Sequence, residues 1–122
     1  MVAKIGSGSS LYSALAYNHH KVQKGIAKVL LVNNMVETPN GNFGIGICTN
    51  SFAPYLYANK RTENPIIHIS LNPDPKDKLN DEQFSEIAQE YMQKLGYGNQ
   101  PFIVYKHEDI DRHHLHIVSV KV

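Results

Sequence analysis

From Leu11 onward, apolar residues recur every three to four positions. Leu11, Ala14, Leu15, Asn18 and Val22 fall on one side when the chain is wound at about 100° per residue. This spacing predicts a helix over 10–23 with one mostly apolar face, capped by Ser9 or Ser10 and ended by Gly25. The GSGSS stretch before it, residues 6–10, reads as a flexible lead-in. The period then changes. Residues 26–33, IAKVLLVN, form a nearly continuous apolar run of strand length, and PIIHISL at 65–71 forms another. Helical spacing returns over 80–95, where Phe84, Ile87, Ala88, Tyr91, Met92 and Leu95 share a face. Asn80 or Asp81 caps this helix, and Gly96 and Gly98 close it. NPDPKDKLND is a loop, broken by its prolines and aspartates. PFIVYKH at 101–107 and HLHIVSVK at 114–121 are the last two strands. Residues 34–63 carry the weakest pattern. Gly41, Gly44 and Gly46 argue for a loop there, and 49–60 fits a short helix with Pro54 near its start.

The element order predicts an α+β fold: a largely antiparallel central sheet with helices packed on one face. A length of 122 residues, 42% hydrophobic and 19% charged, suits a single globular domain over 1–122. The chain stops at Val122 inside an expected strand, which suggests the N-terminal piece of a longer protein. No run of 18 apolar residues marks a membrane segment, and MVAKIGSGSS lacks the apolar core of a secretory signal. Cys48 is the only cysteine, which excludes an internal disulfide and a cysteine-based zinc site and fits the cytoplasm. A net charge of +1 is too small to hold nucleic acid by charge alone, so any such role must rest on a local site.

That local site has a candidate. HEDIDRHHLHI, residues 107–117, holds four of the seven histidines. Strand alternation points His114 and His116 to one side, with Val118 and Val120, while Leu115 and Ile117 point to the other. Apolar residues on both sides predict a central strand. His107 ends the preceding strand, and a hairpin across EDIDRH would set it opposite the start of the next. Three imidazoles would then converge at one end of the sheet, a facial set for a divalent metal with positions left open. Asp109 and Asp111 in the connection are placed to accept the second N–H of a ligand histidine. By alternation His113 points away from the site.

His-x-Asp-x-Asp-x-x-His-x-His followed by an apolar strand resembles the third motif of plasmid relaxases, the mobilisation nucleases of the MobA/VirD family. HISLNPDPKDKLNDEQFSEIAQEYMQKLGYG is similar to the family's second region, and SALAYNHHKV to its first motif, where the nucleophilic tyrosine sits on a helix. The resemblance covers about 10–33 and 64–122. It implies a relaxase-like, HUH-type nuclease fold and a site- and strand-specific nicking-closing activity. Tyr17 falls on the first motif and is the expected nucleophile; Tyr12 is the alternative. At 100° per residue Tyr17 lies off the Leu11–Leu15–Val22 stripe, so its ring is not needed in the core.

The resemblance further implies that His107, His114 and His116 hold Mg²⁺ or Mn²⁺, with Zn²⁺ a third option, as a Lewis acid on the scissile phosphate. Asp109 or Asp111 would orient a ligand histidine or take a proton, and His68 and Ser70, sharing a strand face, would hold DNA near the nick. The implied product is a 5′-phosphotyrosyl enzyme and a free 3′-hydroxyl. The implied partners are single-stranded DNA at an origin of transfer and accessory mobilisation proteins. Tyr55, Tyr57, Lys60 and Arg61 are further candidates for contacting single-stranded DNA. Two readings from other classes stay open on sequence: a three-histidine zinc hydrolase without a tyrosine nucleophile, and a non-catalytic single-strand-binding module. A replication-initiation nuclease shares the histidine pair and the tyrosine chemistry, but there the tyrosine usually follows the histidines, whereas Tyr17 precedes them.

Overall fold

Strands and helices interleave along the chain in the computed structural model, which describes residues 2–35, 44–58, 61–74, 76–108 and 113–121. The strands are β1 (Val2–Gly8), β2 (Ala27–Asn33), β3 (Ile66–Asn72), β4 (Phe102–His107) and β5 (His114–Val120). The helices are α1 (Leu11–Gln23), α2 (Ile45–Ala58) and α3 (Asp81–Lys94). The strands form one sheet in the order β1-β3-β5-β4-β2, with every pairing antiparallel. This is the expected α+β architecture.

The helices cover both faces of the sheet rather than one. α3 lays Phe84, Ala88 and Met92 on Ile67, Ile69 and Leu71 of β3, Phe102 and Val104 of β4, and Leu115 and Ile117 of β5. On the opposite face α1 and α2 bring Leu11, Leu15, Cys48 and Phe52 against Ile66, Ile103, Tyr105, Val118 and Val120. The reason lies in the central strands. All six residues of β4 are buried, so neither side can be left to solvent.

Local signals set the helix ends. The Ser10 hydroxyl accepts from the N–H of Ser13 at 3.1 Å and starts α1. Asn80, not Asp81, caps α3, in a reciprocal box with Gln83. Gly25 and Gly96 follow the two helices with φ of 78° and 88°. The next N–H groups return to the last turn, Ile26 to Lys21 at 3.1 Å and Tyr97 to Met92 at 2.8 Å. Asp81, at the first position of α3, pairs with Lys28 of β2 and with the nearly buried Lys106 of β4. The Lys106 hydrogen bond, then that of Lys28, holds the Asp81 carboxyl below the usual range. This network ties the start of α3 to the sheet.

Two segments depart from the sequence expectation. Residues 6–8, expected in a flexible lead-in, belong to β1, which runs as an edge strand along β3 from Val2↔Asn72 to Gly8↔Ile66. Its side chains are mostly exposed, so pairing of the main chain, not an alternating apolar pattern, defines it. α2 begins at Ile45 rather than near 49, which places Pro54 in its interior. Burial of Cys48 and Phe52 under α1 outweighs the helix-breaking residues there.

Candidate active site

On the face beneath α1 and α2, the alternating positions of the three middle strands start apolar and end polar. β4 contributes Ile103, Tyr105 and then His107; β5, running the other way, contributes His114, His116 and then Val118 and Val120. The antiparallel register sets His107 opposite His114 and Tyr105 opposite His116, as a hairpin requires. On the far side of β5, Ser70 stands opposite His116 and His68 opposite Val118. The imidazoles therefore meet at one end of the sheet.

One ligand nitrogen from each of His107, His114 and His116 lies within 4.8 Å of the other two. The His107 and His116 rings stack with centroids 3.9 Å apart, and His114 lies 5.1 Å from the first and 5.0 Å from the second. Two nitrogens about 2.1 Å from one ion cannot be more than about 4.2 Å apart. Three nitrogens around one ion in tetrahedral or facial geometry lie about 3.0–3.4 Å apart, so this set is wider than a bound site and would close by about an ångström or more on a divalent metal. His107 is fully buried, and His114 and His116 are partly exposed.

Hydrogen bonds from two other elements hold this cluster. His107 Nε2 lies 2.7 Å from Oδ1 of Asn18 on α1, and His116 Nδ1 lies 2.9 Å from Nε2 of His68 on β3. Burial, followed by the neighbouring His107, pushes the His116 imidazole down to about 3, and burial lowers that of His68. Both are neutral at pH 7. Neutral imidazole is the form with a lone pair to give a metal.

α1 carries Tyr17 over the cluster. Its ring centroid is 6.1 Å from that of His107 and 6.2 Å from that of His116, and 51% of the residue remains exposed. Lys21, one turn on, sets its Nζ 4.9 Å from the centre of the Tyr17 ring. Tyr12 is 67% exposed and lies on another flank of the helix. A cleft of about 430 Å³ opens beside Tyr17 and His68, walled by Gly6, Ser7, Gly8 and Ile66, by the α1 cap Ser10 and by Ser13 of α1. Among the described residues, no Lys, Arg, Asp or Glu lines it.

Of the residues singled out on sequence, His107, His114, His116, Tyr17 and His68 come together. Ser70 is beside them, its hydroxyl accepting from Asn72 Nδ2 at 2.8 Å. Asp109, Asp111 and Lys60 lie outside the described residues. Tyr55 packs on the α1/α2 core, while Tyr57 and Arg61 are exposed. The sequence did not mark Asn18 and Lys21 as neighbours of the cluster. Asn18 sat in the predicted apolar stripe of α1, and a polar residue there was the one available signal, because a buried amide needs partners. Among the described residues, no helix is long and apolar enough to cross a membrane.

Comparison with known proteins bears on the whole arrangement. A family model described as relaxase, MobA/VirD2-like, nuclease domain, matches residues 17–122, a span that opens on Tyr17 and contains the histidine cluster. No curated protein and no solved structure matches the chain.

Proposed function

The chain belongs to the MobA/VirD2-like relaxase family and is a DNA-nicking nuclease domain; from that premise we propose a metal-dependent, site- and strand-specific nicking-closing reaction with Tyr17 as nucleophile. The observation that carries the reading is the Tyr17 ring standing about 6 Å from two of three converged imidazoles.

His107, His114 and His116 would hold the divalent ion, Mg²⁺ or Mn²⁺ before Zn²⁺, and when bound it would supply Lewis acidity to the scissile phosphate. The Tyr17 phenol oxygen attacks phosphorus, and the bond to the 3′ oxygen breaks. The phenol proton leaves to a base, and the departing 3′ oxygen gains a proton. Asp109 and Asp111 are the candidates for the base or for orienting a ligand histidine. The product is a 5′-phosphotyrosyl bond and a free 3′-hydroxyl. The bond energy is kept, so attack by a 3′-hydroxyl in reverse closes the strand without ATP. Lys21, over the Tyr17 ring, adds positive charge where phenolate character develops.

The substrate is single-stranded DNA at an origin of transfer, and the reaction starts mobilisation of a plasmid or transposon in the cytoplasm with accessory mobilisation proteins. The cleft beside Tyr17 has the size of a small-ligand site, and its described walls bear hydroxyls and no Lys, Arg, Asp or Glu. It suits the sugar and base of a nucleotide next to the nick better than a phosphate. His68 lines the same cleft from β3, and Ser70 follows it on the same strand face, opposite His116. Residues 1–122 act as one domain in this reading.

The test is incubation with a single-stranded oligonucleotide carrying the nick sequence and Mg²⁺ or Mn²⁺. A covalent protein–DNA adduct mapped by mass spectrometry to Tyr17 is expected. Cleavage without an adduct points to a zinc hydrolase, binding without cleavage to a single-strand-binding module, and an adduct on Tyr12 moves the nucleophile.

A further inference from the structure

Asn18 lies in the buried stripe of α1 with 0% of its surface exposed, next in sequence to Tyr17. A buried amide is costly unless its polar atoms are satisfied. Its Nδ2 donates to the carbonyl oxygen of Ala14 at 2.8 Å, and its Oδ1 lies 2.7 Å from His107 Nε2. These contacts settle the orientation of the amide. A backbone carbonyl only accepts, so the atom facing Ala14 is the NH₂ and the atom facing His107 is the oxygen. An amide oxygen also only accepts. His107 therefore carries its proton on Nε2 and keeps its in-plane lone pair on Nδ1, which is itself buried.

We propose that Asn18 is a positioning residue that sets the tautomer and ring angle of His107, reserving Nδ1 as the nitrogen offered to a divalent cation. The inference rests on the reading of His107 as a metal ligand, and adds which nitrogen binds and which residue selects it. A ligand histidine takes its orientation from whatever holds its other ring nitrogen. Here that partner comes from α1. One hydrogen bond thus couples the helix bearing Tyr17 to the strand bearing His107, and the Ala14 carbonyl locks the amide from behind. Leucine at 18 fills the space but removes the acceptor. Aspartate keeps an acceptor oxygen.

The test joins a tautomer measurement to a metal titration. ¹⁵N NMR of the ring nitrogens in the metal-free protein is expected to show His107 protonated on Nε2. In a Mn²⁺ titration, Asn18→Leu is expected to bind about 10- to 100-fold more weakly than wild type. Asn18→Asp is expected to keep the Nε2–H form and recover most of the affinity. A wild-type His107 protonated on Nδ1 overturns the inference, whatever the metal result and whether or not Asn18→Leu folds. A folded Asn18→Leu variant with unchanged Mn²⁺ affinity overturns it too, provided His114→Ala binds more weakly. If His114→Ala also keeps wild-type affinity, the three-histidine site itself fails, and the tautomer alone decides the role of Asn18.

Discussion

The two faces of the sheet use the same strands in different ways. Beneath α3 the alternating positions are mostly apolar: Ile67, Ile69, Leu71, Phe102, Val104, Leu115 and Ile117, with buried Lys106 and Ser119 the polar exceptions, partnered by Asp81 and by the Pro101 carbonyl. Beneath α1 and α2 they begin apolar, with Ile66, Ile103, Val118 and Val120, and finish in His68, His107, His114 and His116. The difference shows how a small domain tolerates a cluster of desolvated imidazoles. β5 alternates His114 and His116 with Leu115 and Ile117, both fully buried. Each of these two imidazoles is therefore held by chain neighbours clamped on the other face. Both faces carry a core, but on the α1/α2 face it stops short and the imidazole cluster takes its place at one end of the sheet.

Substitutions should separate the two faces, and the largest effect belongs to Tyr17. Tyr17→Phe removes one exposed hydroxyl, so the melting temperature should hold while adduct formation falls on the order of 10⁶-fold, the scale seen when a covalent nucleophile is lost. Comparable nicking by the variant in a gel assay contradicts the assignment. Phe84→Ala works in reverse: it empties space under α3 and should cost about 3–5 kcal/mol in urea denaturation. The fraction still folded should bind Mn²⁺ as wild type does. A specific loss of metal binding there would erase the division of labour between the faces.

His114→Ala comes next. The residue is partly exposed at the start of β5, so the fold should survive. Cleavage should drop roughly 10²- to 10³-fold, the equivalent of several kcal/mol of Lewis-acid stabilisation, and chelation of wild type should match it. Unchanged nicking after chelator treatment argues against metal dependence.

Acid sharpens the contrast further. His116 titrates near 3 in the folded chain because of burial and then its imidazole neighbours, and His68 is lowered in the same direction. An unfolded histidine titrates near 6.5. Between these values the unfolded chain binds more protons, so stability falls as pH drops from about 6.5 toward 3. Thermal melts of the metal-free protein should give a lower midpoint at pH 5 than at pH 7.5, and equal midpoints contradict the burial of these rings. The smallest effect is expected at the start of α1. Ser10→Ala removes the cap on Ser13 and should cost about 1 kcal/mol.

Periodicity and punctuation were enough for much of this molecule. α1, β2, β3, α3, β4 and β5 were legible because each has an apolar stripe or run with a cap, a glycine or a loop at its ends. The meeting of His107, His114 and His116 was legible because strand alternation and a six-residue connection leave little geometric freedom. β1 was not legible, since an exposed edge strand is defined by main-chain bonds to β3, a partner some 60 residues away, and its Gly–Ser segment has no pattern of its own. The start of α2 and the tolerance of Pro54 depended on burial against α1. The hydrogen bonds of Asn18 to His107 and of His68 to His116 span 89 and 48 residues. No local rule reaches that far. Composition and spacing chose the residue types for the chemistry, and the packing of α1 and β3 on the central strands decided which atoms of those residues face one another.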